Sequence, residues 1–364
     1  MQRYTLNILL ALTCVGLVLA THFNMLNSYV LTVLMLIGIN IIFASSLNLV
    51  NGYMGEFSCG HAGFMCVGAY VGSVLSLICF SAKNTILGEA SLPLLSLPAY
   101  LAPWVFPFIL IAAGLAAAIF GFLVALISFR TRGDYLAIIT IAVNFIIISL
   151  VVNLNIIGGA RGLSGMKRTM NAMRDVVDIP WMFIWVITIT FMSLILLWRL
   201  VNSTYGKGIS AIRQNEVAAE ILGVNTDRVK IVAFMISAGM AGIAGALYAH
   251  VVGYVNTQAF NITKSTEGLV MVYLGGMGSL SGSVLAATFF TLLVENLNDG
   301  ISALNSLLHT LNVLPASFTL SPVWKWVLIP LLLILLMRFR PEGIMGNREL
   351  SDIFPRLKRW FTLR

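Results

Sequence analysis

Long apolar runs dominate this chain, and short polar stretches punctuate them. A helix needs about 20 apolar residues to cross the hydrocarbon core of a bilayer. Runs of that kind are read at about 6–22, 29–50, 57–80, 99–128, 135–153, 181–200, 231–252, 268–297 and 323–340. Lipid offers no partner to a backbone N–H or C=O, so each run must pair its own polar groups as helix. The pattern therefore predicts an all-α, polytopic integral membrane protein. A single membrane domain spans residues 1–364, because no polar stretch is long enough for a separate soluble unit. The run at 6–20, behind Arg3, also fits a cleaved signal peptide; its length favours a retained first span.

Two runs are interrupted. Residues 57–80 carry Gly60, Gly63, Gly68 and Gly72, and residues 268–297 carry Gly275, Gly276, Gly278 and Gly282. Small residues at membrane depth let helices pack closely. They also break helices, and paired breaks in the two halves of a chain mark the binding region of many transporters. Glu56 and His61 beside the first break, and Glu267 beside the second, favour a translocation path. The path candidates are Glu56, Ser58, Gly60, His61, Glu267, Gly275, Gly276, Gly278 and Ser279. A half-helix end in either segment would offer backbone N–H groups to a substrate carboxylate.

One polar stretch stands apart. Residues 203–230, STYGKGISAIRQNEVAAEILGVNTDRVK, gather Lys207, Arg213, Glu216, Glu220, Asp227, Arg228 and Lys230 between two spans. Residues 208–222 are predicted as about four turns of amphipathic helix, with Gly223 placed to end it as the residue after the C-cap. Its mixed charge favours docking onto another protein over lying on a lipid surface. Residues 154–180 form the longest loop on the opposite side, where a solvated connection and a partner-docking loop are both open readings.

Composition and charge sharpen the picture. Mean hydropathy is +0.94, outside the range of soluble domains. The net charge of +8 does not point to nucleic acid, since its positive residues sit in loops and not on an aromatic-studded basic face. With the N-terminus inside, only seven of the 22 lysines and arginines fall outside: Lys83, Arg161, Lys167, Arg168, Arg174, Lys264 and Lys325. That bias fits cytoplasmic termini and a cytoplasmic 203–230 loop. Nine crossings would leave the basic C-terminus outside, so an even number, about ten, is expected, with the extra one from 268–297 or 301–320. The cysteines lie in apolar runs and the histidines are scattered, so neither a metal site nor a catalytic constellation is expected. A phosphate-cradling GxxxxGK[ST] loop is absent: Gly206-Lys207 is followed by Gly208, and position 201 is Val201.

Six collinear blocks carry a resemblance over nearly the whole chain. They are SLNLVNGYMGEFSCGHAGFMCVGAY (46–70), RGDYLAIITIA (132–142), GGARGLSG (158–165), residues 205–249, YLGGMGSLSGSVLAA (273–287) and FRPEGIMG (339–346). These blocks resemble the permease subunits of high-affinity branched-chain amino acid ABC importers, the LivH/LivM family, and its LivM kind in particular. Family members often read Gly-Glu where this chain has Asn144-Phe145, and Gln where it has Glu56.

The resemblance implies a permease in the bacterial inner membrane with no cofactor of its own. Cytosolic ATPase subunits would bind ATP. A second permease subunit, a periplasmic or lipid-anchored substrate-binding protein and an amino-acid substrate are implied as partners. Residues 203–230 resemble the EAA loop of ABC permeases, which implies coupling to the ATPase through Gly206, Ile212, Arg213, Glu216, Ala218, Ala219 and Gly223. The alternatives are a urea or short-amide permease of the same kind, an ion-gradient transporter using Glu56, His61 or Glu267, and a membrane scaffold that transports nothing.

Overall fold

Asparagine and serine caps set the starts of several helices. A computed structural model describes residues 27–80, 95, 97–129, 135–177, 179–310 and scattered positions between 324 and 349. Asn27 caps α1 (Ser28–Asn48), which continues through a π-helical turn, Leu49–Met54, to Gly55 at φ +77°. Then follow α2 (His61–Phe80), α3 (Ala102–Ser128), α4 (Tyr135–Asn153), α5 (Lys167–Val176) and α6 (Trp181–Val201). The polar stretch holds α7 (Thr204–Gln214) and α8 (Glu216–Ile221). The last long elements are α9 (Thr226–Val252), α10 (Ile262–Gly275) and α11 (Leu280–Thr310). Side-chain oxygens of Ser203, Asn215, Asn225 and Asn261 accept the first free N–H groups of α7, α8, α9 and α10.

Seven of these helices are long and apolar enough to cross a membrane, among the described residues. The chain is a multi-pass membrane protein. The expected run at 6–22 lies outside the described residues, and 323–340 is described only at scattered positions. Residues 301–310 continue α11 and do not begin a new arm.

The centre of the fold is α9, whose small residues admit neighbouring backbones. A Cβ on Gly245 would overlap the Met65 backbone of α2, and one on Gly68 would overlap the Gly242 backbone of α9. On α3, Gly121 faces Ala238 and Gly114 faces Ile243. Between such helices lipid-phase association depends on van der Waals contact, so each small residue brings many atoms into range. The glycines at 63, 68 and 72 thus lie within an unbroken α2 and serve helix packing; the chain departs from helix only at 55–60.

The 154–180 loop is folded rather than merely solvated. Leu163–Ser164 (β1) pairs antiparallel with Tyr254–Val255 (β2), and Tyr254 Oη donates to the Arg161 carbonyl at 2.6 Å. The GGARGLSG block is therefore a close turn packed on the strand that follows α9.

Candidate functional site

The face carrying α7 and α8, here the near face, holds most of the singled-out residues. The predicted single helix over 208–222 is two helices. Asn215 breaks it with extended backbone (φ −163°, ψ 111°), and its Oδ1 accepts the N–H of Ala218 at 3.0 Å. The asparagine trades one helical step for a cap on the next helix. After the C-cap Leu222, Gly223 takes φ +85°, a conformation that L side chains rarely adopt, and its N–H donates to Glu220 O.

Gly206, Ile209, Ile212 and Ala219 are buried and seat this helix pair on the membrane helices. A Cβ at Gly206 would strike the Val201 carbonyl, so the α6–α7 corner requires glycine. Arg213 is exposed, with its Cγ 3.0 Å from where a Cβ on Gly55 would stand. Ala218 is exposed, and so are Val217, Ile221 and Leu222, the last two at 80% and 81%. Three large apolar side chains thus project from a polar loop.

Lys230, at the start of α9, ties that projection to the membrane helices. Its Nζ lies 2.7 Å from Glu216 Oε1 and 2.7 Å from Glu56 Oε1, with the Phe129 ring 5.7 Å away. The lysine side chain is 7% exposed, Glu56 23% and Glu216 46%. Glu56 therefore belongs to an ion triad at the near face. It also stands second in the 55–60 loop, which Asn51 pins back on the π turn through Ser58 N–H at 3.1 Å.

His61 follows from that loop and is fully buried. Ser237 Oγ donates to the Ser46 carbonyl, so His61 Nε2–H donates to Ser237 Oγ at 2.6 Å. Nδ1 is then left to accept from Ser58 Oγ at 3.3 Å. The ring stands edge-on to Phe64 and Phe234. A neutral, fully bonded imidazole in an aromatic box holds α1, α2 and α9 together. Gly60 meets the Thr140 carbonyl of α4, and Asn144 of α4 lies against Gly63, buried, with no hydrogen-bond partner for its amide among the described residues.

The second broken run is a helical hairpin. Helices α10 and α11 are joined by a turn in which Gly276 and Gly278 take φ +107° and +84°. Gly275 and Gly282 meet backbone to backbone across it. Asn48 of α1 clasps the turn: Oδ1 accepts Gly278 N–H at 3.0 Å, and Nδ2 donates to Ser279 O and Ser283 Oγ. Ile344 and Met345 donate backbone N–H to Leu274 O and Gly275 O. The α11 N-terminus, where free N–H groups for a substrate carboxylate are expected, holds the chain's own Glu349. Its carboxylate accepts from Leu280 N, Ser281 N, Ser281 Oγ and Tyr53 Oη, at 2.6–3.1 Å.

Glu267, on α10, pairs with Lys264 at 2.8 Å. Lys264, which charge counting assigns to an outer loop, reaches Asn40 Oδ1 at 3.3 Å. Asn40 stands near the middle of the 27-residue helix Ser28–Met54, so the Lys264 ammonium lies level with the middle of that helix. The i, i+3 spacing of Lys264 and Glu267 at the head of an apolar run is the sequence signal for this pair. Asn48, Lys230, Ser237 and Glu349 gave no such local signal, because their partners are far away along the chain.

A model of the branched-chain amino acid transport system permease component matches residues 29–337. The high-affinity branched-chain amino acid transport system permease protein LivM of Escherichia coli (strain K12) is 31% identical over 285 residues, covering 72% of this chain and 62% of that protein. The probable branched-chain amino acid transport permease protein LivM of Methanocaldococcus jannaschii is 28% identical over 342 residues, covering 90% of this chain and 95% of that one. The permease protein LivH of Salmonella typhimurium is 27% identical over 199 residues, 54% of each chain. The matches to the Escherichia coli and Salmonella LivM proteins span 62% of those proteins' length. No solved structure matches the chain.

Proposed function

The chain belongs to the branched-chain amino acid transport permease family, and from that premise we propose that it is a membrane-spanning subunit of an ATP-driven importer. Its cargo is branched-chain or related amino acids. It sits in the bacterial inner membrane with the near face and both termini cytoplasmic. ATP is bound by cytosolic partner subunits, a companion permease completes the path, and a periplasmic or lipid-anchored binding protein delivers substrate. The permease has no ATPase site of its own.

The observation that carries this reading is the α7–α8 projection. Val217, Ile221 and Leu222 are exposed on α8 and its end, in a stretch that also carries the exposed charged residues Lys207, Arg213, Glu216, Glu220, Asp227 and Arg228. The helices that present them are fixed by Ile209, Ile212 and Ala219 beneath and by the Lys230 triad behind. Fixed apolar anchors of this kind fill a groove on a partner protein. A push on α8 reaches α9 through Lys230 and the 55–60 loop through Glu56, so the docking surface is mechanically joined to the membrane core.

The I221S/L222S double variant tests this. It is expected to insert and to run as a single species in detergent, since both side chains are exposed. It should lose co-purification of the ATPase subunits, with a fall in ATP-driven uptake of about tenfold or more, as for the loss of central interface anchors. Full retention of the ATPase would remove α8 as the docking site. Uptake that requires a proton gradient and no ATP would overturn the importer reading as a whole.

A further inference from the structure

Lys264 and Glu267 are two opposite charges level with Asn40, near the middle of the helix Ser28–Met54. Nothing in the coupling apparatus touches them. Ionisable groups at that depth are costly and tend to face a wet cavity or a substrate route. A purely structural ion pair has little justification there, since apolar residues of similar volume often serve a core as well or better. Both side chains also keep an opening to the outside of the chain, 15% for Lys264 and 13% for Glu267. Lipid at that opening would leave ammonium hydrogens and carboxylate lone pairs unsolvated. A polar partner of the pair would enter by that opening.

The surroundings continue this polarity toward the far face. Asn40 Nδ2 donates to Thr291 Oγ1 at 2.9 Å, and Tyr29 Oη donates to Glu295 Oε2 at 3.3 Å. Polar groups thus line the α1–α11 seam from the far-face end of α1 to its middle. Helix α10 begins beside the ion pair, with Asn261 capping Thr263 N and Lys264 N. Its N-terminal end adds positive potential on the lysine side of the pair.

We propose that Lys264 and Glu267 form the point at which an amino-acid zwitterion crosses the middle of the membrane. The assignment rests on the importer reading and names the contact its substrate makes. The α-carboxylate passes to Lys264 and the α-ammonium to Glu267. The pair presents opposite charges 2.8 Å apart, and the zwitterion carries its own two charges on a single carbon. Each therefore replaces the other's partner, and no lone charge is left at membrane depth during the exchange. A simple anion would strand Glu267, and a simple cation would strand Lys264. An uncharged amide such as urea offers neither charge and gains nothing from opening the pair.

The test uses the complete importer in proteoliposomes, with radiolabelled leucine as the probe. The variants are K264M/E267M, which keeps volume and removes both charges, and K264Q/E267Q, which keeps hydrogen bonding. A structural pair predicts normal transport by at least one of them. The zwitterion site predicts that both lower maximal leucine uptake by about tenfold or more. The half-saturating leucine concentration stays unchanged, because the binding protein performs capture, and ATPase stimulation by leucine-loaded binding protein persists. Uptake within about twofold of the unsubstituted importer in either variant overturns the proposal and leaves the importer reading standing. Absence of ATP-driven leucine uptake by the unsubstituted complex overturns both.

Discussion

Lys230→Met is expected to uncouple ATP hydrolysis from transport. The lysine is the cation shared by Glu56 and Glu216. Removing it leaves two carboxylates facing each other at the root of α8. Breaking a fully buried pair by deleting one partner costs about 3–5 kcal/mol. The cost here is smaller on the Glu216 arm, which is 46% exposed and so partly solvated. The larger consequence is mechanical. With the triad broken, α8 moves without drawing the 55–60 loop, and the His61–Ser237–Ser46 chain behind that loop does not feel the docking surface. Leucine uptake should fall by about tenfold or more while ATP hydrolysis persists, so the ratio of molecules moved to ATP consumed is the quantity to measure. The neutral variant K230M/E56Q/E216Q separates fold from function: melting in detergent should recover, and the ratio should not. An unchanged ratio in Lys230→Met would show that the triad is an anchor only.

Gly245→Leu is expected to have the largest effect on the fold. A single Cβ there already overlaps the Met65 backbone, and a leucine would force α2 and α9 apart. Helix α9 also packs on α3 through Gly239, Gly242 and Ala238, so it cannot retreat from one neighbour without striking the other. Overpacking in a tight core costs about 1–3 kcal/mol and sometimes more. Fluorescence-detected size exclusion should show loss of the monodisperse peak, and Gly245→Ala should show a smaller fall in melting temperature. Ile119→Leu on the exposed face of α3 serves as the comparison and should change neither. A monodisperse Gly245→Leu with unchanged melting would mean that the α2–α9 contact is loose.

Much of the fold was legible in hydropathy alone. The run at 135–153 is α4, Tyr135–Asn153, and the run at 181–200 is α6 to within a residue. Apolar length reports burial in lipid or protein without distinction, which suffices to locate spans. It fails where a polar cap extends a helix beyond its apolar part. Helix α9 begins at Thr226 and not at 231, because Asn225 caps it while Lys230 finds two carboxylates. It also fails where one asparagine divides a helix, as Asn215 does.

The site was legible only in outline. Glu216, Ala219 and Gly223 stand out by local pattern. The partners that give them meaning do not, because Glu56 and Lys230 meet across long stretches of chain. Gly68 and Gly72 look like helix breakers in one dimension and prove to be contact points in three. Counting charges places Lys264 on the outer side, since a sum over loops cannot show that a lysine turns inward toward Asn40.

The Glu349 cap sets an order on how the molecule is made. Tyr53 and Glu349 are 296 positions apart. At a synthesis rate of about 5–20 residues per second, roughly 15–60 seconds separate the emergence of the two. For that interval the π turn and the head of α11 lack the carboxylate that later joins them. Asn48, made with the first helix, is the early clasp on the glycine turn, and the tail is the late one. A nascent chain halted before residue 349 would thus hold every long helix described here and still lack the carboxylate that fastens the π turn to the head of α11.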